Sequence, residues 1–306
     1  MQTRLLQALE DRGHLGRVVS IDRLRDLQEA IESHRRLGAF DKAFYEERLT
    51  SFVFEPLESL PGARSLVVVS VRQPQIRFTF TWQGTRMPVI VPPTYLHWQR
   101  TDRQVERVLA ELLQAEGYRV AQALLPKKLL AVRSGLAEYG RNNVTYVPGL
   151  GSFHRLAVFA SDLPCEDEYW REPAMMAPCE SCRACLRHCP SGAITTERFL
   201  LRAERCIVFH NEQPGEVPFP AWLDASWHNC LVGCMHCQTI CPENSEVLGW
   251  IEDGAEFSAE ETARLVGGAS LDQLPPETAR KLEAHDLVDL LDILPRNLRA
   301  LFDRMA

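Results

Sequence analysis

The chain has 306 residues, 45% of them hydrophobic and 25% charged, and carries a formal net charge of −7. That is the composition of a soluble globular protein with room for two domains, and it excludes a fibrous, low-complexity or disordered chain. The acidic balance excludes a general attraction to nucleic acid or anionic membrane and leaves room for a local basic patch; no apolar run approaches the ~18–20 residues that cross a bilayer.

Residues 1–16 lack the apolar core of a secretory signal, so a reducing, cytoplasmic location is expected. The region up to about Pro164 holds no cysteine and mixes α and β patterns. Ile21, Leu24, Leu27 and Ile31 share one face of an amphipathic helix. Pro61-Gly62 punctuates, and the β-branched run Ser65–Val71 reads as a buried strand. Phe78–Trp82 and Met87–Val91 flank Gln83-Gly84-Thr85-Arg86 as a predicted hairpin. The pattern then predicts a helix over Thr101–Ala115 stopped by Gly117, a strand over Tyr118–Leu125, a helix over Lys127–Tyr139 and a strand over His154–Ala160. From about Pro173 to Trp250 regular patterning fades, as it does where metal bonds replace an apolar core. From Ser258 onward the chain reads as helical, with Leu287, Leu290, Leu291, Leu294, Leu298 and Leu301 forming a seam too short for a coiled coil.

Nine of the ten cysteines fall between Cys179 and Cys241. The run Cys179-x-x-Cys182-x-x-Cys185-x-x-x-Cys189-Pro190 has the ligand spacing of a bacterial-type [4Fe–4S] ferredoxin, in which the fourth cysteine serves a second cluster. A second group is present: Cys206, Cys230, Cys234, Cys237 and Cys241-Pro242. A disulfide scaffold would require an oxidising compartment and usually a small chain. Paired zinc knuckles have no use for the triple repeat, the three-residue step and the proline. His188 and His236 lie inside the runs but are not needed as ligands, because enough cysteines exist without them.

The stretch Arg133–Asn143, with Gly135 and Gly140, and the stretch Pro148–Phe153, with Gly149 and Gly151, make loops whose backbone can approach a ligand closely. Turn formation alone is the competing use of these glycines. Neither a Gly-x-Gly-x-x-Gly dinucleotide fingerprint nor a Walker lysine motif is present.

Together these residues resemble the epoxyqueuosine reductase family of cobalamin-dependent iron–sulfur enzymes, over most of the chain. Pro61–Val69 resembles the family's first core strand and its entry. Ala131-x-x-Ser134-Gly135-Leu136 with Gly140-Arg141-Asn142 is similar to its Ala-x-x-Ala-Gly-Leu-Gly-x-x-Gly-Lys-x loop. Gly151-Ser152-Phe153, Asp162-Leu163-Pro164, Arg205-Cys206-Ile207 and Cys234-x-x-Cys237-Gln238-x-x-Cys241-Pro242-x-Asn244 follow in the family's order. The resemblance implies an α+β architecture. A nitroreductase-like α/β corrinoid-binding domain spans residues 1–164, a ferredoxin-like double [4Fe–4S] domain 165–250 and a short helical segment 251–306. It further implies two [4Fe–4S] clusters, one on Cys179, Cys182, Cys185 and Cys241, the other on Cys189, Cys206, Cys234 and Cys237. Cys230 is an alternative to Cys206, and Cys165 is spare. Bound cobalamin is implied beside Gly135, Gly140, Asn142, Gly151 and Ser152.

One departure bears on function. Counting back from Gly135, Ala121 stands where the family carries the Asp proposed as proton donor, and alanine cannot act as a general acid. The family's C-terminal repeat region involved in tRNA binding is absent or only begun after Leu298. Reduction of epoxyqueuosine in the usual way is therefore not expected, nor is tRNA as a partner. The expected function is a reductase passing electrons through two clusters to a corrinoid and an unidentified small molecule, or to the corrinoid itself, with a ferredoxin or flavodoxin as donor and no membrane partner. A non-catalytic electron-transfer or corrinoid-reactivating protein docking on a partner is the alternative. Tyr95, His97 and Tyr139 are candidate proton donors that also read as packed or surface residues.

Overall fold

The computed structural model describes residues 1–55 and 57–305. The chain opens with α1 (Gln2–Glu10), β1 (Leu15–Ser20), α2 (Arg23–Arg36), α3 (Lys42–Arg48) and β2 (Ser65–Arg72). There follow β3 (Gln75–Trp82), β4 (Thr85–Val91), α4 (Trp98–Gln114), β5 (Val120–Gln122), α5 (Lys127–Arg133), β6 (Glu138–Tyr139), β7 (Thr145–Tyr146) and β8 (His154–Ser161). The cysteine-rich segment holds the short helices α6 (Ala184–His188), α7 (Ile207–Asn211) and α8 (His236–Thr239). The chain closes on β9 (Ile251–Phe257), α9 (Ala259–Val266), α10 (Pro276–Ala284) and α11 (Leu294–Met305).

Two units emerge: residues 1–73, 98–183 and 196–200 in the first, and residues 74–97, 184–195 and 201–306 in the second. These cut the chain at other places than the three segments expected from sequence, because the hairpin β3–β4 is counted with the C-terminal half. In the first unit an antiparallel sheet has the order β1-β2-β8-β5. Alternate residues of a strand face opposite sides, and β2 uses both. Val67, Val69 and Val71 pack with Leu5 and Leu9 of α1 and Val105, Leu109 and Leu113 of α4. Leu66 and Val68 pack with Leu24 and Leu27 of α2 and Leu130 of α5. Burial on both faces is why this strand is a continuous apolar run.

In the second unit the sheet order is β4-β3-β9, with β9 parallel to β3. The β3–β4 turn is the two residues Gln83 and Gly84, at φ of 49° and 80°, the left-handed pair that matches strand twist. It is tighter than the four-residue connection expected. Phe78, Phe80 and Phe257 pack with Leu265, Leu282, Leu294, Leu298 and Phe302, so the C-terminal leucines form this unit's core. A capping box between Ser258 and Glu261 starts α9, worth about 1 kcal/mol.

Two elements are shorter than their sequence pattern. The helix expected over Lys127–Tyr139 ends at Arg133, because Gly135 turns left-handed at φ +70°. The strand expected over Tyr118–Leu125 is reduced to β5. Among the described residues no helix is long and apolar enough to cross a membrane.

Candidate metal centre

Within the second unit the sulfurs of Cys185, Cys189, Cys206, Cys230, Cys234 and Cys237 share one electrostatic neighbourhood. Burial, and after it the charge of Cys189, pushes the Cys206 thiol up to about 11. Burial first, then neighbouring sulfurs, raises Cys234 and Cys237 well above the ordinary thiol value. The sulfurs acting on Cys237 are those of Cys234, Cys206, Cys189 and Cys185. Thiols buried this way cannot ionise together unless a cation shares them, and metal binding provides that by displacing the protons. The donor set therefore fits an iron–sulfur cluster. Among the described residues no three Cys, His, Asp or Glu side chains close on a single-ion site.

Local structure aims donors at these sulfurs. Cys206 is the N-cap of α7, and its carbonyl accepts the Phe209 amide at 3.1 Å. The His236 amide donates to Cys234 at the start of α8, and Ser191 Oγ lies 3.6 Å from Cys189 Sγ. Cys230 is 1% exposed and lies beside Cys234, while the Met235 amide donates to Asn229 Oδ1 at 3.2 Å. The turn carrying it is fixed by Asn211, which donates to the Gly233 carbonyl at 2.6 Å and accepts the Gly233 amide at 3.0 Å. Helices α6 and α8 pack together, with His188 and His236 rings 5.6 Å apart.

In the first unit Cys179 is buried in a 3-10 turn, Ala177–Glu180. Arg141 donates to the carbonyls of Cys179 at 2.5 Å and Cys182 at 3.2 Å. Arg183 donates to the same two carbonyls at 3.3 and 3.0 Å. The glycine-rich stretch that supplies Arg141 is held by its own side chains. Asn142 donates to the Tyr146 hydroxyl at 2.9 Å and accepts the Val144 amide at 3.2 Å. Gly140 has no Cβ because one would lie 2.5 Å from Asn142 Oδ1 and 2.6 Å from the Tyr146 ring. Gly135, Gly140 and Asn142 thus belong to one loop, while Gly151, at φ +53°, and the buried Ser152 form the neighbouring turn. The Gly151 carbonyl lies 3.2 Å from Nδ1 of buried His154, whose Nε2 lies 3.1 Å from Thr145 Oγ1.

Of the candidate proton donors, Tyr95 donates to Glu212 at 2.6 Å and packs its ring on Gly233, and His97 is paired with Asp286 at 2.8 Å. Both are held in the second unit. Tyr139 is 8% exposed and shares an apolar cluster with Ala121, Leu136 and Ala137.

Two features escaped the sequence. Trp170 takes the guanidinium of Arg133 over its ring at 5.1 Å and that of Arg23 at 5.2 Å, which lays residues 165–172 across the first unit. Asp102, buried on α4, accepts from Arg155 at 2.7 and 2.8 Å, Gln122 at 3.1 Å and Lys127 at 3.4 Å. An acidic residue among the apolar positions of α4 was the available signal for the second.

Residues 178–244 match the family model of the 4Fe-4S double cluster binding domain. The epoxyqueuosine reductase of Bacillus subtilis is 28% identical over 235 residues, 74% of this chain and 58% of the relative. That of Pseudomonas aeruginosa is 34% identical over 207 residues, 62% of this chain and 54% of the relative. The chain is similar to the epoxyqueuosine reductases. It spans a little over half the length of these two relatives. The solved epoxyqueuosine reductase of Streptococcus thermophilus has the same fold, with a TM-score of 0.70 at 15% identity over 100% of this chain and 81% of that one. A crystal structure of epoxyqueuosine reductase with a tRNA-Tyr epoxyqueuosine-modified stem loop matches at TM-score 0.61 and 24% identity, over 80% of this chain and 65% of that one.

The chain is therefore a mixed α+β iron–sulfur protein with a double-cluster domain. The expectation that tRNA is not a partner is corrected. The relatives are named for a tRNA nucleoside, and one solved neighbour holds a tRNA stem loop. Net charge was a poor guide, because binding to phosphates depends on local patches rather than on the sum.

Proposed function

We propose that this chain is a corrinoid-dependent iron–sulfur reductase that acts on epoxyqueuosine in a tRNA stem loop. The cysteine-rich stretch 178–244, which matches the 4Fe-4S double cluster binding domain, carries the reading, with Cys189, Cys206, Cys234 and Cys237 as one ligand set. These four hold one cluster, and Cys179, Cys182, Cys185 and Cys241 the other. Cys206 is preferred to Cys230 because Arg205-Cys206-Ile207 resembles the lone upstream ligand of the reductases; both sulfurs lie near Cys234.

The Gly135–Asn143 and Gly149–Phe153 turns of the first unit would hold the corrinoid in a nitroreductase-like domain. Asn143 supports this. Its Nδ2 is buried without a hydrogen-bond partner among the described residues, and a corrin rim carries amide carbonyls that would accept from it. The bound corrinoid would supply a cobalt that collects single electrons and delivers them in pairs. Removing the epoxide oxygen consumes two electrons and two protons and releases water. Ala121 can supply neither proton. Tyr139 lies in the same apolar cluster, and burial raises its pKa, so Oη keeps its proton at neutral pH. It is the acid assigned here.

The test is anaerobic reconstitution with iron, sulfide and cobalamin, followed by single turnover on tRNA carrying epoxyqueuosine. Queuosine should form, and Tyr139→Phe should slow it by ~10²–10⁴ while leaving cobalamin binding intact. No cobalamin binding, or no queuosine from the loaded wild type, sinks the reading. Unchanged turnover by Tyr139→Phe removes only the proton donor.

A further inference from the structure

A groove of about 600 Å³ runs along α4 in the first unit, lined by Arg100, Arg103, Arg107, Glu106, Gln114 and Val120. We infer that this groove seats the phosphodiester backbone of a structured RNA, an assignment that rests on the tRNA reading above and gives it a place on the chain.

The three arginines occupy positions i, i+3 and i+7, one face of a helix, and span roughly 10 Å of its axis. That length covers about three phosphates of one strand. All three are exposed, and among the described residues none forms an ion pair; Arg103 Nε donates to the Gln99 carbonyl at 3.2 Å. In a chain with 41 carboxylate side chains against 34 lysines and arginines, cations left without partners on one face repel one another. An anionic ligand relieves that repulsion. Arginine forks match phosphate oxygens in pairs, Gln114 adds a donor at the far end, and Val120 gives an apolar floor for a ribose. Glu106 in the same groove sets a gap between two cations and disfavours a second negative charge close to it.

The probe is an unmodified tRNA-Tyr anticodon stem loop, titrated by fluorescence anisotropy against the iron-loaded full chain from 50 to 200 mM salt. The variant is Arg100→Glu/Arg103→Glu/Arg107→Glu, and Arg100→Gln/Arg103→Gln/Arg107→Gln serves where the charge reversal disturbs α4. The wild type should bind with a salt slope that the glutamine variant lowers by about 2–3, with affinity weakened at least ~10-fold at 50 mM and iron content unchanged. Equal binding by wild type and variant overturns the groove assignment and leaves the tRNA reading standing. Absence of wild-type binding overturns both. If RNA binding is intact and electron uptake from an acidic flavodoxin slows instead, the groove belongs to the donor protein and the inference falls.

Discussion

Arg141 donates from its guanidinium to the Cys179 carbonyl at 2.5 Å and extends to the Cys182 carbonyl at 3.2 Å. The glycine-rich loop therefore places a permanent positive charge against the backbone of the cysteine turn. A cluster becomes more negative on reduction, so a fixed cation favours its reduced form and raises its potential. At an effective dielectric constant of ~20, a unit charge ~8 Å away is worth about 2 kcal/mol, or roughly 90 mV for one electron. Arg141→Met should lower the potential of one cluster by an amount of that order and leave the other in place. An EPR-monitored redox titration reads both; an unchanged or higher potential rejects the account.

Cys206 and Cys230 are separable by substitution. Cys206→Ser should cut the iron content from roughly eight atoms to roughly four, whereas Cys230→Ser should keep about eight. Iron and sulfide quantification of anaerobically purified variants decides it, and the opposite outcome would exchange the two residues.

Gly135 adopts φ +70°, and a Cβ there would lie 2.6 Å from the Tyr169 ring. Gly135→Ala should cost about 1–3 kcal/mol, part from the left-handed backbone and part from the displaced ring. Adding Tyr169→Ala should recover the ring component alone. Thermal unfolding of the holo-protein measures both steps, and full recovery would show that the backbone carries no strain.

Burial holds His154 at about 4, below its ordinary 6.5. The folded chain keeps this ring neutral while the unfolded chain protonates it. Stability is therefore complete above pH 6.5 and is lost as pH falls toward 4. The full loss through this residue is about 3 kcal/mol. His228, held at about 4 by burial and then by Arg296 and Arg304, acts with the same sign in the second unit. Hydrogen exchange of β8 amides should show less protection at pH 5 than at pH 7. His154→Gln should flatten that difference; an equally steep difference in the variant would assign it elsewhere.

The double-cluster segment was legible because cluster ligation dictates the spacing of its cysteines. Strands β2 and β8 and the β3–β4 hairpin were legible from β-branched and aromatic runs. β9 was not, since Ile251–Phe257 contains three acids and is largely exposed. Its conformation is set by parallel pairing with β3 and by the Arg77–Asp253 and Arg86–Glu256 ion pairs. The contact from Arg141 to Cys179 was equally hidden, because nothing in a linear pattern says which distant carbonyl a guanidinium will find.

The pairing of β3 with β9 also sets an order of events during synthesis. Arg77 and Asp253 are 176 positions apart, so at ~5–20 residues per second the ribosome needs roughly 10–35 s to deliver the partner strand. Until then the nascent hairpin presents Phe78 and Phe80 to solvent on an open edge. The eight cysteines assigned to the clusters all emerge inside that interval. The cluster sulfurs are therefore open to iron during the same half-minute in which that hairpin edge lies uncovered.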